Sequence, residues 1–416
     1  MRILFLSKYA LNPNYGQPTR QFFYSKYLSR IDRNEVWLIS SRSTVSTKIP
    51  KFRGLSKDET FGPLTNSILN GPTTSIGFSL KRIWSWLWFE IQVLRLFPRL
   101  RAWKPDVIIV SSLSILTFAT GVFLKWMLRR PLIVEVRDVY PATLVEVGGL
   151  SKWNPFVWLL RQVERFGYRH ADMIFSSLAN LEPHVAEAIG QQKPVAYLPM
   201  GYDPEFYEQS SDLSPAGRIA EQRLKELQGK FLIGYAGTIG KANALQCPLD
   251  VFRDFTESNP NLAFVLLGDG PLLDSYRETY SRFNNIVFLG RVDKSDLGKL
   301  LSMMDVVINP WLDLSIYRFG ISPNKWIDYM QAKKPILAPF GGYQQVLETV
   351  NCGWFVKPED PAALHSSIET IAKLPKEELR KMGDNGYRYM TAELSYATLG
   401  VKMFGHIERV VNASAR

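Results

Sequence analysis

The sequence predicts an α/β protein made of two domains, each a doubly wound parallel sheet. The chain has 416 residues, which is more than one compact core usually holds. Short apolar runs rich in β-branched residues alternate with helical stretches, and this alternation stops in a polar segment after Tyr202 and then restarts. Two sheets that each carry a ligand edge would face each other across a cleft.

Six apolar runs predict the strands of the first domain, which we place at residues 1–205. They read RILFLS, EVWLIS, DVIIVS, LIVEVRD, DMIFSS and VAYLPM in chain order. Helices are predicted between them, from Gln17 to Ser29, over the basic stretch after Phe78, from Leu113 to Arg130 and around Phe156 to Tyr168. Strands that recur with helices between them indicate a parallel sheet covered on both faces.

A second set of runs predicts another such sheet over residues 206–394. These runs are FLIGYAG, LAFVLLGDG, NIVFLG, VVINPW, PILAPF and GWFVK. The polar stretch after Tyr202 is predicted to be the interdomain connection with a leading helix. Residues 395–416 are predicted to form a helix that packs back on the first domain.

Composition excludes several classes of protein. Charged residues make up 21% and hydrophobic residues 46%, which excludes a largely disordered chain. Cys247 and Cys352 are far apart and lack metal-ligand spacing, so no disulfide framework or zinc site is expected and a reducing cytosol fits best.

Met1 to Ala10 is interpreted as a strand and not as a signal peptide. Val107 to Leu124 carries no charge over 18 residues, yet a strand followed by a buried helix explains it better than a membrane span.

The net charge of +11 is unevenly distributed, and one aromatic segment, LKRIWSWLWFEIQVLRLFPRLRAWK, is rich in lysine and arginine. Tryptophan favours the bilayer interface, and cations are attracted to anionic headgroups, so the region from Trp84 to Lys104 is a candidate peripheral membrane surface. The alternative is a pair of core helices with solvated basic edges. Nucleic acid is not an expected partner, because no recognised binding motif accompanies the charge.

Glycines follow two strands of the second domain. In GYAGTIGKANAL, Gly237 and Thr238 lie in a strand-to-helix turn, with Lys241 and Asn243 just after it. Backbone N–H groups and an ammonium there suit a diphosphate, although glycine-rich turns also serve tight geometry alone. Gly268 and Gly270 end the next strand in LLGDGP, where they line a site or only form a turn.

Two further segments of the second domain supply candidate ligand contacts. Arg291 and Val292 follow the third strand, where main-chain groups can meet the edge of a base. In GISPNKWIDYM, Ser322 is the expected N-cap and Pro323 the first helical residue. Such a helix end attracts phosphate. Lys325 adds a cation in the first turn, and Asn324 and Asp328 share one face of the helix.

The first domain offers candidates for a second substrate. Gly16 and Arg20 follow its first strand, and Arg137 and Asp138 follow a central strand. A carboxylate at that position can orient or deprotonate a hydroxyl, but strand-end aspartates also commonly cap loops. No nucleophile-elbow, Walker or metal-ligand pattern is present.

Taken together, these stretches resemble retaining glycosyltransferases of family 4, which have the GT-B fold of two Rossmann-like domains. The similarity extends over nearly the whole chain and is strongest to the bacterial surface-polysaccharide branch that includes N-acetyl-L-fucosamine transferases. It rests on KPDVIIVSSLSILTFATG, PLIVEVRDVYPATLVEVGGL, YAGTIGKANAL, GDGP and GISPNKWIDYMQAKKPILA. The resemblance implies a nucleotide-sugar donor, with UDP as the expected nucleotide, in the C-terminal domain and an acceptor in the N-terminal domain.

The family pattern also assigns roles to residues. Its second acidic position falls on Asp328, which implies contact with the ribose hydroxyls. Its first falls on Gly320, which has no side chain, so main-chain N–H groups of Gly320, Ile321 and Ser322 are expected to substitute. Lys241 and Lys325 are expected on the diphosphate, and with Asp138 they form the predicted catalytic set.

The resemblance implies a retaining hexosyl transfer that needs neither a metal nor another cofactor. The expected acceptor is a lipid-linked or other glycan in lipopolysaccharide, O-antigen or capsule biosynthesis. The expected location is cytoplasmic, at the inner face of the cell membrane. Two other functions remain open, a nucleotide-sugar epimerase with the same fold and a catalytically idle partner subunit.

Overall fold

The computed structural model describes residues 1–16, 19–43, 48–72, 79–207, 212–344 and 346–414. The chain folds into two compact units. The first contains Met1–Asp203, Phe319–Ser322 and Tyr396–Arg416, and the second contains Pro204–Arg318 and Pro323–Ser395. The first unit therefore contains a four-residue segment from the middle of the second half of the sequence.

The first unit is built on an eight-stranded sheet. Its strands are β1 (Arg2–Leu6), β2 (Glu35–Ser41), β3 (Ser56–Phe61), β4 (Leu64–Leu69), β5 (Val107–Ser111), β6 (Leu132–Val136), β7 (Met173–Ser176) and β8 (Val195–Tyr197). The strand order is β3-β4-β2-β1-β5-β6-β7-β8. All six strands predicted from the apolar runs are present and pair in parallel with their neighbours. Val107 to Leu124 is a strand followed by a helix, as expected.

The predicted parallel sheet of the first domain is present, and it carries one antiparallel pair at an edge. Strand β3 pairs antiparallel with β4 through a tight turn at Gly62, whose φ is +61°. Neither strand was predicted. Strand β3 reads SKDETF and has no buried residue, so it lacks an apolar run, and in β4, LTNSIL, three polar residues separate the apolar ones. A short, charged outer strand is a common way to keep a sheet edge from pairing with other chains.

Among the described residues, seven α-helices precede the second unit. They are α1 (Arg20–Leu28), α2 (Leu80–Arg95), α3 (Phe97–Trp103), α4 (Thr117–Leu128), α5 (Ala142–Glu146), α6 (Pro155–His170) and α7 (Glu182–Ile189). The predicted helix start at Gln17 lies outside the described residues. The helix predicted from Leu113 begins at Thr117, because Leu113 has a φ of +87° and a turn separates β5 from α4.

The second unit contains a six-stranded parallel sheet. Its strands are β9 (Phe231–Ala236), β10 (Leu262–Leu267), β11 (Ile286–Gly290), β12 (Val306–Ile308), β13 (Ile336–Pro339) and β14 (Gly353–Val356). All six were predicted. Their order, β11-β10-β9-β12-β13-β14, reverses direction between β9 and β12, and this order is that of a doubly wound dinucleotide-binding sheet.

The remaining helices complete the two units. They are α8 (Pro204–Tyr207), α9 (Pro215–Lys225), α10 (Gln246–Ser258), α11 (Leu273–Tyr280), α12 (Leu297–Ser302), α13 (Asn324–Gln331), α14 (Val346–Thr349), α15 (Pro361–Ala372), α16 (Lys376–Glu393) and α17 (Tyr396–Ser414). Helix α17 belongs to the first unit and packs on α1. Across the described ranges, none of the helices combines the length and apolar character needed to span a bilayer.

Candidate functional site

The carboxyl edge of the second sheet brings three loops together around β9. Gly237 donates its N–H to Leu267 O at 2.9 Å, and Ile239 donates to Asp269 O at 2.9 Å. Gly268 in turn donates to Gly290 O at 2.8 Å. The loops after β9, β10 and β11 are therefore held side by side at the edge where ligands of doubly wound sheets bind.

Glycines are required here because the loop backbones nearly touch. A Cβ atom at Gly268 would lie 1.8 Å from Gly237 O, and one at Gly270 would lie 2.3 Å from Ile239 O. Both glycines have positive φ, 151° and 158°, a conformation in which other residues are strained. Gly268 and Gly270 thus allow the backbones of two loops to approach closely. This role is structural, and whether the two glycines also line a site stays a prediction.

Helix α13 is the fourth element at this edge, and it begins one residue later than expected. Pro323 is its N-cap, with an extended ψ of 118°, and Ser322 lies before it, so the predicted N-cap at Ser322 was wrong. No side chain caps the first turn, so backbone N–H groups at this end remain available to a ligand.

Tyr329 fixes α13 to the end of the sheet. Its hydroxyl accepts a hydrogen bond from Ala236 N at 3.1 Å and lies 3.2 Å from Ile308 O. These two atoms belong to the adjacent strands β9 and β12, so one tyrosine holds the helix at the point where the strand order reverses. Tyr329 was not among the predicted site residues, although Tyr329 directly follows Asp328.

Lys325 lies over the loop after β9. Its ammonium donates a hydrogen bond to Asn243 Oδ1 at 2.5 Å and lies 5.2 Å from the centre of the Tyr235 ring. A Cβ atom at Gly237 would lie 2.4 Å from Lys325 Cε, so the lysine stem occupies the space that this glycine leaves free. Burial lowers the pKa of Lys325 to about 8, although the charge of Asp328 opposes the shift. A bound anion would favour the charged form of this ammonium.

Asp328 has a partner that the sequence analysis missed. The ammonium of Lys294 contacts both oxygens of the Asp328 carboxylate, which is 8% exposed. Lys294 lies in a short 3₁₀ helix after β11, and it also lies 5.6 Å from the centre of the Tyr207 ring. Lys294 lies three residues after Arg291, in a loop already predicted to reach the site, and this position was the signal that could have identified it.

The other predicted donor residues of the second unit lie in the same loops. Thr238, Lys241, Arg291 and Asn324 are exposed, and Val292 is half-buried. Lys241 opens the 3₁₀ helix Lys241–Asn243 that carries the partner of Lys325. The structure therefore brings the predicted lysines, amide groups and carboxylate to one sheet edge, and their roles stay predictions.

Gly320, Ile321 and Ser322 belong to the first unit, although the sequence analysis grouped them with the donor. The adjoining Phe319 is buried, accepts a hydrogen bond from Asn180 N at 3.0 Å and lies beside the His184 ring. Gly320 has a φ of +100°, which a residue with a side chain rarely adopts. The backbone conformation at position 320 therefore favours glycine, which cannot supply the carboxylate found there in the family pattern.

Arg20 does not fit the predicted acceptor role. Its guanidinium is 1% exposed and donates to Glu135 Oε1 and Leu198 O, and it stacks 4.5 Å from the centre of the Tyr24 ring. Burial has the largest single influence on Glu135 and opposes its ionisation, but the charges of Arg20 and Arg137 and the hydrogen bonds from Gln21 and Ser111 together lower the pKa of the carboxyl. Arg20 is therefore committed to a buried ion pair that ties α1 to β6, and we correct its assignment to a structural one.

Arg137 and Asp138 directly follow β6, and Gly16 lies further along the segment between β1 and α1. Arg137 donates to Gln21 Oε1 at 3.2 Å, and burial lowers its pKa to about 10. Asp138 Oδ1 accepts hydrogen bonds from Val139 N and Thr143 Oγ1 at 2.9 and 2.8 Å, and burial raises the pKa of its carboxyl. Gly16 ends a short 3₁₀ helix at a φ of +106°. Asp138 thus stabilises the turn that enters α5, and a carboxyl with a raised pKa is also suited to accept a proton.

Two cavities lie away from these residues. One, of about 430 Å³, is lined by Asp305 and Lys334, which precede β12 and β13 at the amino edge of the second sheet. Another, of about 470 Å³, is lined by Trp84, Trp88 and Gln92 of α2. Within the described residues, no group of three or more His, Cys, Asp or Glu side chains is placed to hold a metal ion.

The edge of the second sheet is suited to a ligand with a diphosphate and a polyol. Unpaired N–H groups and the ammonium groups of Lys325 and Lys241 offer positive charge, and Asp328 offers acceptors for hydroxyl groups. Exposed Arg291 and half-buried Val292 extend the same edge.

Comparison with known proteins gives matches over both units. A model of glycosyl transferases group 1 matches residues 230–373, and a model of the glycosyl transferase 4-like domain matches residues 71–201. The probable glycosyltransferase WbjE of Pseudomonas aeruginosa is 25% identical over 285 residues, which are 67% of this chain and 69% of WbjE.

Solved structures show the same fold. Anabaena HepE in complex with UDP-glucose has a TM-score of 0.63 at 16% identity, over 98% of this chain and 100% of HepE. Sucrose-phosphate synthase from Thermosynechococcus elongatus has a TM-score of 0.72 at 13% identity, over 99% of both chains.

Proposed function

We propose that this chain, which is a glycosyltransferase of the GT-B type, transfers a hexosyl group from a UDP-sugar to an acceptor hydroxyl with retention of configuration. The observation that carries the proposal is the group formed at one sheet edge by Lys325, Asn243 and the uncapped start of α13. It combines positive charge and free N–H groups beside loops that only glycine can form.

The diphosphate of the donor is the ligand that this group fits best. Lys325 and Lys241 would contact its oxygens, and the start of α13 would add N–H donors. Transfer of the sugar leaves negative charge on the diphosphate, so groups that neutralise this charge also lower the barrier. Lysines and a helix end can supply this effect, which supports an enzyme that works without a divalent metal.

The nucleoside is assigned to the neighbouring residues. The Asp328 carboxylate would accept hydrogen bonds from the ribose hydroxyls while Lys294 balances its charge. Main-chain groups at Arg291 and Val292 would meet the base. UDP is the proposed nucleotide because HepE, a protein with the same fold, was solved with UDP-glucose.

The acceptor is proposed to bind the first unit, where Arg137 and Asp138 lie at strand ends. Asp138 would orient or deprotonate the acceptor hydroxyl, and Gly16 is proposed to lie on the acceptor side. The similarity to the probable glycosyltransferase WbjE supports sugar transfer in general. From the resemblance to the surface-polysaccharide branch, we propose that the acceptor is a lipid-linked glycan of bacterial surface polysaccharide, reached from the cytoplasmic face of the membrane.

A nucleotide-sugar epimerase is not favoured. Both family models describe glycosyl transferases, and one of them covers the unit to which we assign the acceptor. Incubation with the donor alone separates the two activities, because an epimerase would isomerise the sugar without an acceptor.

The proposal is tested by the ligands that stabilise the protein. UDP-sugars at about 100 times their dissociation constant should raise the free energy of unfolding by about 2.7 kcal/mol, whereas GDP-sugars and dTDP-sugars should not. The stabilising donor should then label a lipid-linked glycan, and NMR of the product should show a retained anomeric configuration. If no nucleotide sugar stabilises the protein, or if the donor alone is isomerised, the proposed function is wrong.

A further inference from the structure

A row of large apolar side chains along α2 faces solvent. Its spacing of four and three residues places the row on one side of the helix. The exposed fractions run from 40% at Leu94 to 83% at Leu80. The row consists of Leu80, Trp84, Leu87, Ile91 and Leu94.

The opposite side of α2 is packed into the core. Trp86, Phe89 and Val93 are buried, and Trp86 donates to Tyr9 Oη at 2.8 Å. The core interpretation of the Trp84 to Lys104 region therefore holds for one side of α2, and the membrane interpretation stays a prediction for the other side. A helix that is apolar on both sides needs a second partner for its outer row.

Helices α4 and α6 extend this apolar surface. The rings of Phe97 and Phe123 lie 6.4 Å apart and connect the start of α3, two residues after the end of α2, to α4. The rings of Trp126 and Phe166 lie 5.8 Å apart and connect α4 to α6. We define the three-helix face as the α2 row together with the exposed side chains of Phe123, Trp126, Met127, Trp158 and Leu159.

The helices that form and flank the three-helix face expose charged side chains of one sign. Helices α2, α3, α4 and α6 contain nine lysines and arginines and two carboxylates, Glu90 and Glu164. Both carboxylates are buried. Arg99 and Lys125 pair with acids on other elements, at 2.9 and 2.7 Å. The four helices thus expose cations and apolar side chains but no carboxylate.

We infer that the three-helix face docks this protein on a membrane that contains anionic lipid. Contiguous exposed apolar surface marks interaction sites, and tryptophan with surrounding cations matches the interface of an anionic bilayer. A second copy of the chain is a poor occupant, because a two-fold contact would bring the same cations together. A nucleic acid would use the charge but not the aliphatic row. The docking inference depends on the proposed function in one point only, which is that the acceptor lies in the membrane.

Vesicle flotation of the full chain tests this inference without donor or acceptor. The protein should float with vesicles of phosphatidylcholine mixed with phosphatidylglycerol and much less with phosphatidylcholine alone, and salt should weaken binding. The variant Leu87→Glu/Ile91→Glu should lower the vesicle-bound fraction by about tenfold, because charged side chains replace two that enter the interface. The control variant Ile219→Glu/Val401→Glu changes two exposed side chains on other helices and should float like the wild type.

Melting temperature and UDP binding should be the same in both variants. The inference is overturned if the wild type ignores anionic vesicles, if both variants float equally, or if light scattering shows a dimer that only Leu87→Glu/Ile91→Glu dissociates. Flotation without UDP binding would instead count against the proposed function and leave the docking surface supported.

Discussion

Lys294 contacts both carboxylate oxygens of Asp328 at the carboxyl edge of the second sheet. The carboxylate is buried, and its partner comes from a different loop, so the pair links the segment after β11 to helix α13. Asp328 therefore has its charge balanced without a ligand. Ribose hydroxyls that bind here would join an existing ion pair, because a hydroxyl can donate to an oxygen that also accepts from an ammonium.

Asp328→Asn should weaken the binding of UDP by about tenfold to a hundredfold, because hydrogen bonds to a charged group contribute about 1.5–3 kcal/mol. Inorganic pyrophosphate lacks a ribose, so its affinity should change little. Isothermal titration calorimetry with both ligands measures this difference. The control Asp384→Asn alters an exposed carboxylate that pairs with Lys333, and it should change neither affinity. Equal loss of both ligands in Asp328→Asn would contradict the ribose assignment.

Lys325→Met should weaken both UDP and pyrophosphate, because both ligands carry the diphosphate that the ammonium is proposed to contact. A loss of about tenfold or more is expected for a charge-assisted hydrogen bond. Methionine keeps the stem that covers Gly237, so the melting temperature should not fall. The control Lys299→Met changes an exposed lysine paired with Glu221. Wild-type affinity for pyrophosphate in Lys325→Met would place the diphosphate elsewhere.

The affinity for UDP should depend on pH through Lys325. Burial lowers the pKa of this lysine to about 8, so the free protein loses the charged form as pH rises through that value. UDP affinity should therefore be constant at lower pH and fall above about pH 8, by at most about tenfold per pH unit. Calorimetry of the wild type and of Lys325→Met over the same pH range separates this effect from ionisation of the ligand. A fall of the same size in both proteins would exclude Lys325 as its source.

Arg20→Met should cost about 3–5 kcal/mol of stability, because it leaves the Glu135 carboxylate buried without its cation. The double variant Arg20→Met/Glu135→Leu should recover much of this loss. Denaturant unfolding at neutral pH measures both, with the exposed Arg101→Met as control. A fully stable Arg20→Met with impaired transfer would restore the acceptor role that the structure argues against.

Much of the architecture could be read from local sequence pattern. All six strands of the second sheet and six strands of the first were predicted, because buried parallel strands produce short runs of apolar, β-branched residues. Strand β3 was missed because it is an edge strand, SKDETF, that has no buried residue and carries no such run. Strand β4, LTNSIL, is mostly buried, but three polar residues interrupt its apolar run. The glycines after β9 and β10 were also recognisable, since turns of this kind restrict residue type.

Partners that come from distant parts of the chain were decided only by the tertiary structure. The sequence placed Lys325 and Asp328 on one helix, but their contacts with Asn243 and Lys294 depend on how the loops meet after β9, β10 and β11. Arg20 was predicted to contact a ligand, because its buried partner Glu135 is 115 residues away, on strand β6, and could not be recognised from the sequence near Arg20. Local periodicity fixes which segments become strands and helices, whereas the pairing of a buried charge depends on long-range packing that no short stretch encodes.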